Sequence, residues 1–269
     1  MNALCVESYG VRVGIRLGDP QRLDQVVAHL PPRWRETDDQ DVERWYDLAP
    51  DETLGGAMSV LQVDGLPRAR SFSMDDLLPL LAADLQLFVA EMAPRRVFVH
   101  AGVVAWRGRA ILLPGRSGTG KTTLVAALVR AGARYYSDDF AVLDRLGRVH
   151  AYPEPLSFRD APSGRRRVPV DAVDGRVGAS PVPVGLVVAS PYRQDARWAV
   201  RRQSPAEGVA TLMAHTVSAR REPGRALATL HRVVLGASVL VGERGEARDA
   251  VEPILALCDR QLTQSVGGA

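Results

Sequence analysis

Apolar and charged residues alternate along 11–17 (Val11, Arg12, Val13, Gly14, Ile15, Arg16, Leu17), the period of a half-buried strand. Leu23, Val26, Val27 and Leu30 then share one helical face, which Pro31-Pro32 closes. Residues 36–52 are rich in acidic side chains, with Trp34, Trp45 and Tyr46 nearby, and predict a solvated loop. The run 77–92 predicts a strongly apolar helix, ended by Pro94 and expected to pack on the core of the second half of the chain. Residues 97–106 read as a strand of β-formers, Arg107-Gly108-Arg109 as a turn, and 110–113 as a buried partner strand, together a hairpin. Leu124 and Leu128 share a helical face, as do Val125 and Val129, and Gly132 suits the end of that helix. A short strand from Arg134 is expected to end at Asp138-Asp139, where the strand ends of a parallel sheet form a crevice.

Asp144 to Gly147 suits a hairpin turn, and the Pro-, Gly- and Arg-rich run 160–184 has the composition of a mobile lid or substrate loop. Strands at 184–189, 198–202 and 238–241 alternate with helices starting near 205, 225 and 247, the second 225–235 and the third 247–262. Ser204 is placed as an N-cap ahead of Pro205. The expected class is α/β with a mixed sheet: a small N-terminal α/β lobe at 1–95, then a second domain at 96–269, with no internal repeat.

Composition narrows the class. At 269 residues, 46% hydrophobic and 24% charged, the chain is globular, and no apolar run approaches the length of a membrane-spanning helix. No secretory signal is visible at the N-terminus. The two cysteines, Cys5 and Cys258, form no metal-binding pair and are expected as idle buried thiols in a reducing cytoplasm. A net charge of +3 without clustering argues against nucleic acid, and Arg165-Arg166-Arg167 is read as a solvated loop. Among the 34 basic residues a single one is lysine, Lys121. In a chain so biased to arginine, a surviving lysine marks a position that takes a slim point charge and not a planar fork.

Lys121 lies in Gly115-Arg116-Ser117-Gly118-Thr119-Gly120-Lys121-Thr122-Thr123, the GxxxxGK[ST] phosphate-binding pattern, between a predicted strand and a predicted helix. Glycines let backbone N–H groups turn inward on phosphates, and the helix N-terminus adds partial positive charge. Lys121 reaches the β- and γ-phosphates, and the Thr122 hydroxyl ligates Mg²⁺. Asp138 and Asp139 follow one helix later, where neighbouring carboxylates can divide metal binding from proton acceptance. A histidine in a strand is ordinarily a packed core residue, but the hairpin would bring His100 near the phosphates, where it could orient a carboxylate or bind phosphate.

The block VHAGVVAWRGRAILLPGRSGTGKTTLVAALVRAGARYYSDDF, residues 99–140, resembles the HPr kinase/phosphorylase-related family, whose kinase domain is related to phosphoenolpyruvate carboxykinases. The resemblance implies a P-loop kinase core that uses ATP and Mg²⁺ and phosphorylates a serine hydroxyl on a protein. Gly115, Ser117, Gly118, Thr119, Gly120, Lys121, Thr122 and Thr123 would bind phosphate, and Thr122 with one aspartate would hold Mg²⁺. The other aspartate would be the general base, with His100 close by; Asp138 is favoured as base and Asp139 as metal ligand, although the sequence does not separate them. A weaker likeness runs on to Arg159, within which Glu154 could approach the metal, although a surface role is favoured. The family's ExRG-type signature and its downstream loop are missing: 154–175 reads EPLSFRDAPSGRRRVPVDAVDG. HPr as substrate is therefore not expected, and the better likeness is to HPr-kinase-like serine kinases, some acting on precursor peptides. The acceptor is a hydroxyl of a protein, a peptide or a small metabolite, and a homo-oligomer is expected, with no nucleic acid and no membrane as partner. A nucleotide-binding regulatory module without transfer is the reading from another class. Arg201 and Arg202 are expected to face solvent.

Overall fold

The computed structural model describes residues 2–54, 56–160 and 164–266, and the chain divides into two units, Met1–Arg95 and Arg96–Ala269. The first unit begins with the antiparallel pair β1 (Asn2–Ser8) and β2 (Val11–Leu17), followed by a short helix, α1 (Leu23–Val27). Then come β3 (Arg35–Glu36), β4 (Arg44–Pro50), β5 (Ser59–Val63), β6 (Leu66–Ser71) and helix α2 (Met74–Met92). The strands form one sheet in the order β3-β1-β2-β4-β5-β6.

The acidic stretch expected as a loop is a central strand. β4 pairs parallel with β2 and antiparallel with β5, and Tyr46 and Leu48 are fully buried. The reason is a period-two pattern masked by composition: the apolar side chains of β4 turn inward while Arg44 and Asp47 find ionic partners. α2 starts at a Ser73 cap whose hydroxyl accepts the Asp75 N–H, and its apolar face lies on β5 and β6 of its own unit. The Tyr46 hydroxyl donates to Asp84 on α2 at 3.0 Å, and the Arg44 guanidinium stacks on Phe88 at 3.9 Å.

The second unit opens with the hairpin β7 (Val97–Trp106) and β8 (Arg109–Pro114), then α3 (Lys121–Arg130). β9 (Arg134–Ser137), β10 (Phe140–Leu143) and β11 (Arg148–His150) follow, and next a separate hairpin of β12 (Leu156–Asp160) and β13 (Gly164–Val168). The chain continues through β14 (Val182–Ala189), β15 (Ala199–Arg202), α4 (Pro205–Met213), α5 (Pro223–Gly236), β16 (Ser238–Glu243) and α6 (Ala247–Val266). The main sheet runs β11-β10-β7-β8-β14-β16-β15, with β9 also on β7. β8, β14 and β16 are mutually parallel, and the pairs to β7 are antiparallel. α3 and α6 cover one face through Leu124, Leu128, Ile254 and Cys258, and α4 and α5 cover the other through Leu212, Leu230 and Val233. The architecture is mixed α/β, as expected. Among the described residues no helix is long and apolar enough to cross a membrane.

Three local expectations change. β9 ends at Ser137, directly before the aspartate pair, as expected, and runs in the direction of β8, but its paired neighbour is the antiparallel β7, so the pair stands at a break between β9 and β10 on that one strand. Ser137 makes the break: its buried hydroxyl accepts the N–H groups of Asp139 and Phe140 at 3.2 and 3.0 Å. The run 160–184, expected as a mobile lid or substrate loop, carries regular structure in its described part: β13, a 3₁₀ turn at Asp171–Val173 and a β-bridge from Val177 to Tyr135. Ala161 to Ser163 lie outside the described residues. Glu154 is buried, not on the surface: its carboxylate accepts a 2.6 Å bond from Arg167, so the arginine run lies in a strand, and Arg166 stacks on Phe158. Both cysteines are buried and unbridged, and Arg201 and Arg202 are exposed.

Candidate functional site

The β7–β8 hairpin sets the site's register. Arg107 and Gly108 both take positive φ, 47° and 79°, a tight turn that pairs Ala101 with Pro114. His100 thereby lies beside the first residue of the glycine-rich loop, and the Gly115 N–H donates to the His100 carbonyl at 3.3 Å. On its other edge β7 pairs His100 with Phe140, and the Ala101 N–H donates to the Asp139 carbonyl at 3.0 Å. One strand thus brings together the loop and the aspartate pair. α4 leads into a third neighbour: the His215 carbonyl accepts the His100 N–H at 2.8 Å.

The loop turns through Gly118 and Gly120 at φ 87° and 79°, which side chains rarely adopt, and enters α3 at Lys121. Lys121 folds back over the loop. Its Nζ donates to the carbonyls of Gly115 at 2.7 Å and Arg116 at 3.0 Å and lies 3.4 Å from His100 Nε2. The Thr122 hydroxyl donates to Asp138 Oδ2 at 2.9 Å, and the Ser157 N–H donates to the same oxygen at 3.1 Å. Asp138 Oδ1 is buried and has no hydrogen-bond partner.

A cleft of about 260 Å³ is lined by His100, Ser117, Gly118, Gly120, Lys121, Thr122, Thr123, Asp138, Asp139 and the β12 residues Ser157, Phe158 and Arg159. Two residues expected to bind phosphate, Gly115 and Thr119, do not line this cleft. Thr119 is turned away, its hydroxyl donating to the Arg116 carbonyl at 2.8 Å, and Gly115 receives Lys121 through its carbonyl. Sequence reasoning missed the roles of Ser157, Phe158 and Arg159. They fall within the tract of weaker likeness, but no spacing rule singled them out. It also missed His215 and Arg244, for which no motif speaks.

Burial dominates the electrostatics. It raises the Asp138 carboxyl to about 6, against the opposing bond from Ser157, and the neighbouring Asp139 charge adds to the rise. Burial lowers His100, and the Lys121 charge lowers it further, while Asp139 pulls the other way. His215 is lowered by burial and then by Lys121 and Arg116. The imidazoles therefore favour their neutral form beside the cationic loop.

Among the described residues no cluster of three or more His, Cys, Asp and Glu forms a metal cage. In a phosphate site Mg²⁺ needs no such cage, because one or two carboxylates share the ion with the substrate's phosphates and water. The orphaned Asp138 Oδ1, the Thr122 hydroxyl and Asp139 in one cleft provide such a donor set.

No family model and no curated protein matches the chain. Among solved structures it is similar to the Hpr(Ser) kinase/phosphatase from Coxiella burnetii, at 16% identity and a TM-score of 0.33, over 64% of this chain and 99% of that one. At that identity and TM-score the likeness is too slight to transfer a fold or an activity.

Proposed function

We propose that the chain is an ATP- and Mg²⁺-dependent kinase of the HPr-kinase-like type that phosphorylates a serine hydroxyl of a protein or peptide. The observation that carries this reading is the bond from Thr122 Oγ1 to Asp138 Oδ2, which joins a GxxxxGK[ST] loop to a buried carboxylate with one oxygen free. Loop amides and Lys121 bind the phosphates, and Lys121 leaves its two carbonyls to do so. Thr122 and Asp139 would hold Mg²⁺, which when bound would supply charge neutralisation at the transferred group. Asp138 accepts the proton of the acceptor hydroxyl, and a carboxyl raised to about 6 suits that task near neutral pH. His100, kept neutral, orients Asp139. The cleft of about 260 Å³ lies over the glycine-rich loop and the aspartate pair, and a protein or peptide acceptor follows from the resemblance of residues 99–140 to serine kinases.

The Thr122–Asp138 bond favours a second reading of the two carboxylates, since a P-loop threonine and its partner aspartate often share the metal. Asp138→Asn and Asp139→Asn separate the readings. With Asp138 as base, Asp138→Asn lowers transfer by about 10²–10⁴-fold at an unchanged Mg²⁺ requirement. A raised Mg²⁺ requirement in Asp138→Asn, with transfer restored at saturating metal, would exchange the roles. Transfer unaffected in both variants would remove the pair from the chemistry.

A further inference from the structure

The strands β8, β14 and β16 are parallel, so the turns that follow β14 and β16 emerge at the same end of the sheet as the glycine-rich loop. They are stitched to one another: the Arg193 N–H donates to the Arg244 carbonyl at 2.9 Å, and the Arg244 N–H to the Pro191 carbonyl at 3.3 Å. Both also grip the glycine-rich loop. The Tyr192 N–H donates to the Thr119 carbonyl at 3.0 Å, and Arg244 Nη2 donates to the Gly120 carbonyl at 2.6 Å. A second guanidinium nitrogen, Nη1, donates to the Gly245 carbonyl at 3.0 Å.

The charge of Arg244 is unusually placed. The residue is 2% exposed, and among the described residues no carboxylate lies within ion-pair distance of its guanidinium. Its Nε has no hydrogen-bond partner. Glu246 acts on it through space, but that carboxylate accepts the Tyr192 hydroxyl at 3.1 Å. A guanidinium does not shed its proton in a protein, so a buried one lacking a contacting anion is a standing penalty in the ligand-free chain.

We propose that Arg244 is a positioning residue for the polyphosphate of the nucleotide, acting from behind the loop. This rests on the phosphate-loop reading above. In a trans peptide the C=O and N–H point in opposite directions. Holding the Thr119 and Gly120 carbonyls on the side of Tyr192 and Arg244 therefore turns the N–H groups of Gly120 and Lys121 to the other side, and both residues line the cleft. Gly120 allows the close approach, because a Cβ there would stand 2.7 Å from Arg244 Nη2. A bound polyphosphate also brings the negative charge that Arg244 lacks. The residue thus opposes stability in the empty protein and favours the loaded one.

The test uses the full chain with three ligands, Mg²⁺-ATP, inorganic tripolyphosphate and adenosine, measured by calorimetry and by thermal unfolding. Arg244→Met is expected to weaken Mg²⁺-ATP and tripolyphosphate by the same factor, about tenfold or more, which is about 1.4 kcal/mol. Its ligand-free Tm should stay level or rise. Arg244→Lys, which keeps the charge and one donor, should fall between Arg244→Met and the parent in tripolyphosphate affinity, and it carries the test should Arg244→Met fail to fold. Unchanged tripolyphosphate affinity in the variants, with Lys121→Ala losing it, would overturn the role of Arg244 and leave the phosphate loop standing. Loss of Mg²⁺-ATP affinity alone, with tripolyphosphate unaffected, would place Arg244 on the nucleoside and also overturn it. Failure of the parent chain to bind either polyphosphate would overturn both readings together.

Discussion

Replacing Asp138 with asparagine should stabilise the protein, and only where the carboxylate would be charged. The side chain is 2% exposed, and burial holds its carboxyl at about 6 against an ordinary 3.8. The folded protein therefore binds this proton more tightly than the unfolded chain. Its contribution to stability is greatest below pH 3.8, declines as the pH rises to about 6, and is constant above that. A shift of about two pH units at about 1.4 kcal/mol each gives a penalty of about 3 kcal/mol at neutral pH. An amide carries no such penalty, and its oxygen still accepts from Thr122 and Ser157. In EDTA at pH 8, Asp138→Asn should thus exceed the parent by about 3 kcal/mol in denaturant unfolding, or about 6–12 °C in Tm. The gap should shrink steadily between pH 6 and pH 4. A gap of constant size across that range, or a variant less stable than the parent at pH 8, would refute an ionisation origin. The proposed chemistry predicts the opposite effect on transfer, so a charge the reaction uses is one the fold resists.

Lys121→Arg should lose phosphate transfer almost as completely as Lys121→Ala, because a bulky planar fork does not replace the slim ammonium that must turn from the Gly115 and Arg116 carbonyls to the phosphates; near-parental turnover in the arginine variant would show that any cation suffices. Tyr46→Phe removes a buried hydroxyl that donates to Asp84, and should lower stability by about 1–2 kcal/mol in denaturant titrations; a value near zero would mean that the ion pairs of Asp84 with Arg44 and Arg68 hold it without the hydroxyl.

The second unit was more legible in sequence than the first, for physical reasons. Hairpin, loop and helix from Val97 to Arg130 announce themselves through β-formers, glycines and a helical repeat, and local rules also dictate their mutual placement. β4 did not announce itself, because three-way pairing with β2, β5 and a helix rewards two buried side chains even within an acidic run. β12 was hidden in the same way. Its partner β13 carries the arginine run, and the ion pair that anchors it, Arg167 to Glu154, joins positions that no local pattern relates. Of the site, the residues contributed by adjacent chain segments were visible. Ser157, His215 and Arg244 arrive through long-range topology, and one arginine among so many carries no signal of its own.

The most direct measurement is transfer of label from γ-labelled ATP with Mg²⁺ to host lysate separated into protein, peptide and small-molecule fractions, with Lys121→Ala in parallel. The account predicts label on serine in a protein or peptide, absent with the variant. Label confined to small molecules would contradict the acceptor proposed here, and label undiminished with Lys121→Ala, or no transfer by a parent chain that binds ATP, would contradict the kinase reading itself.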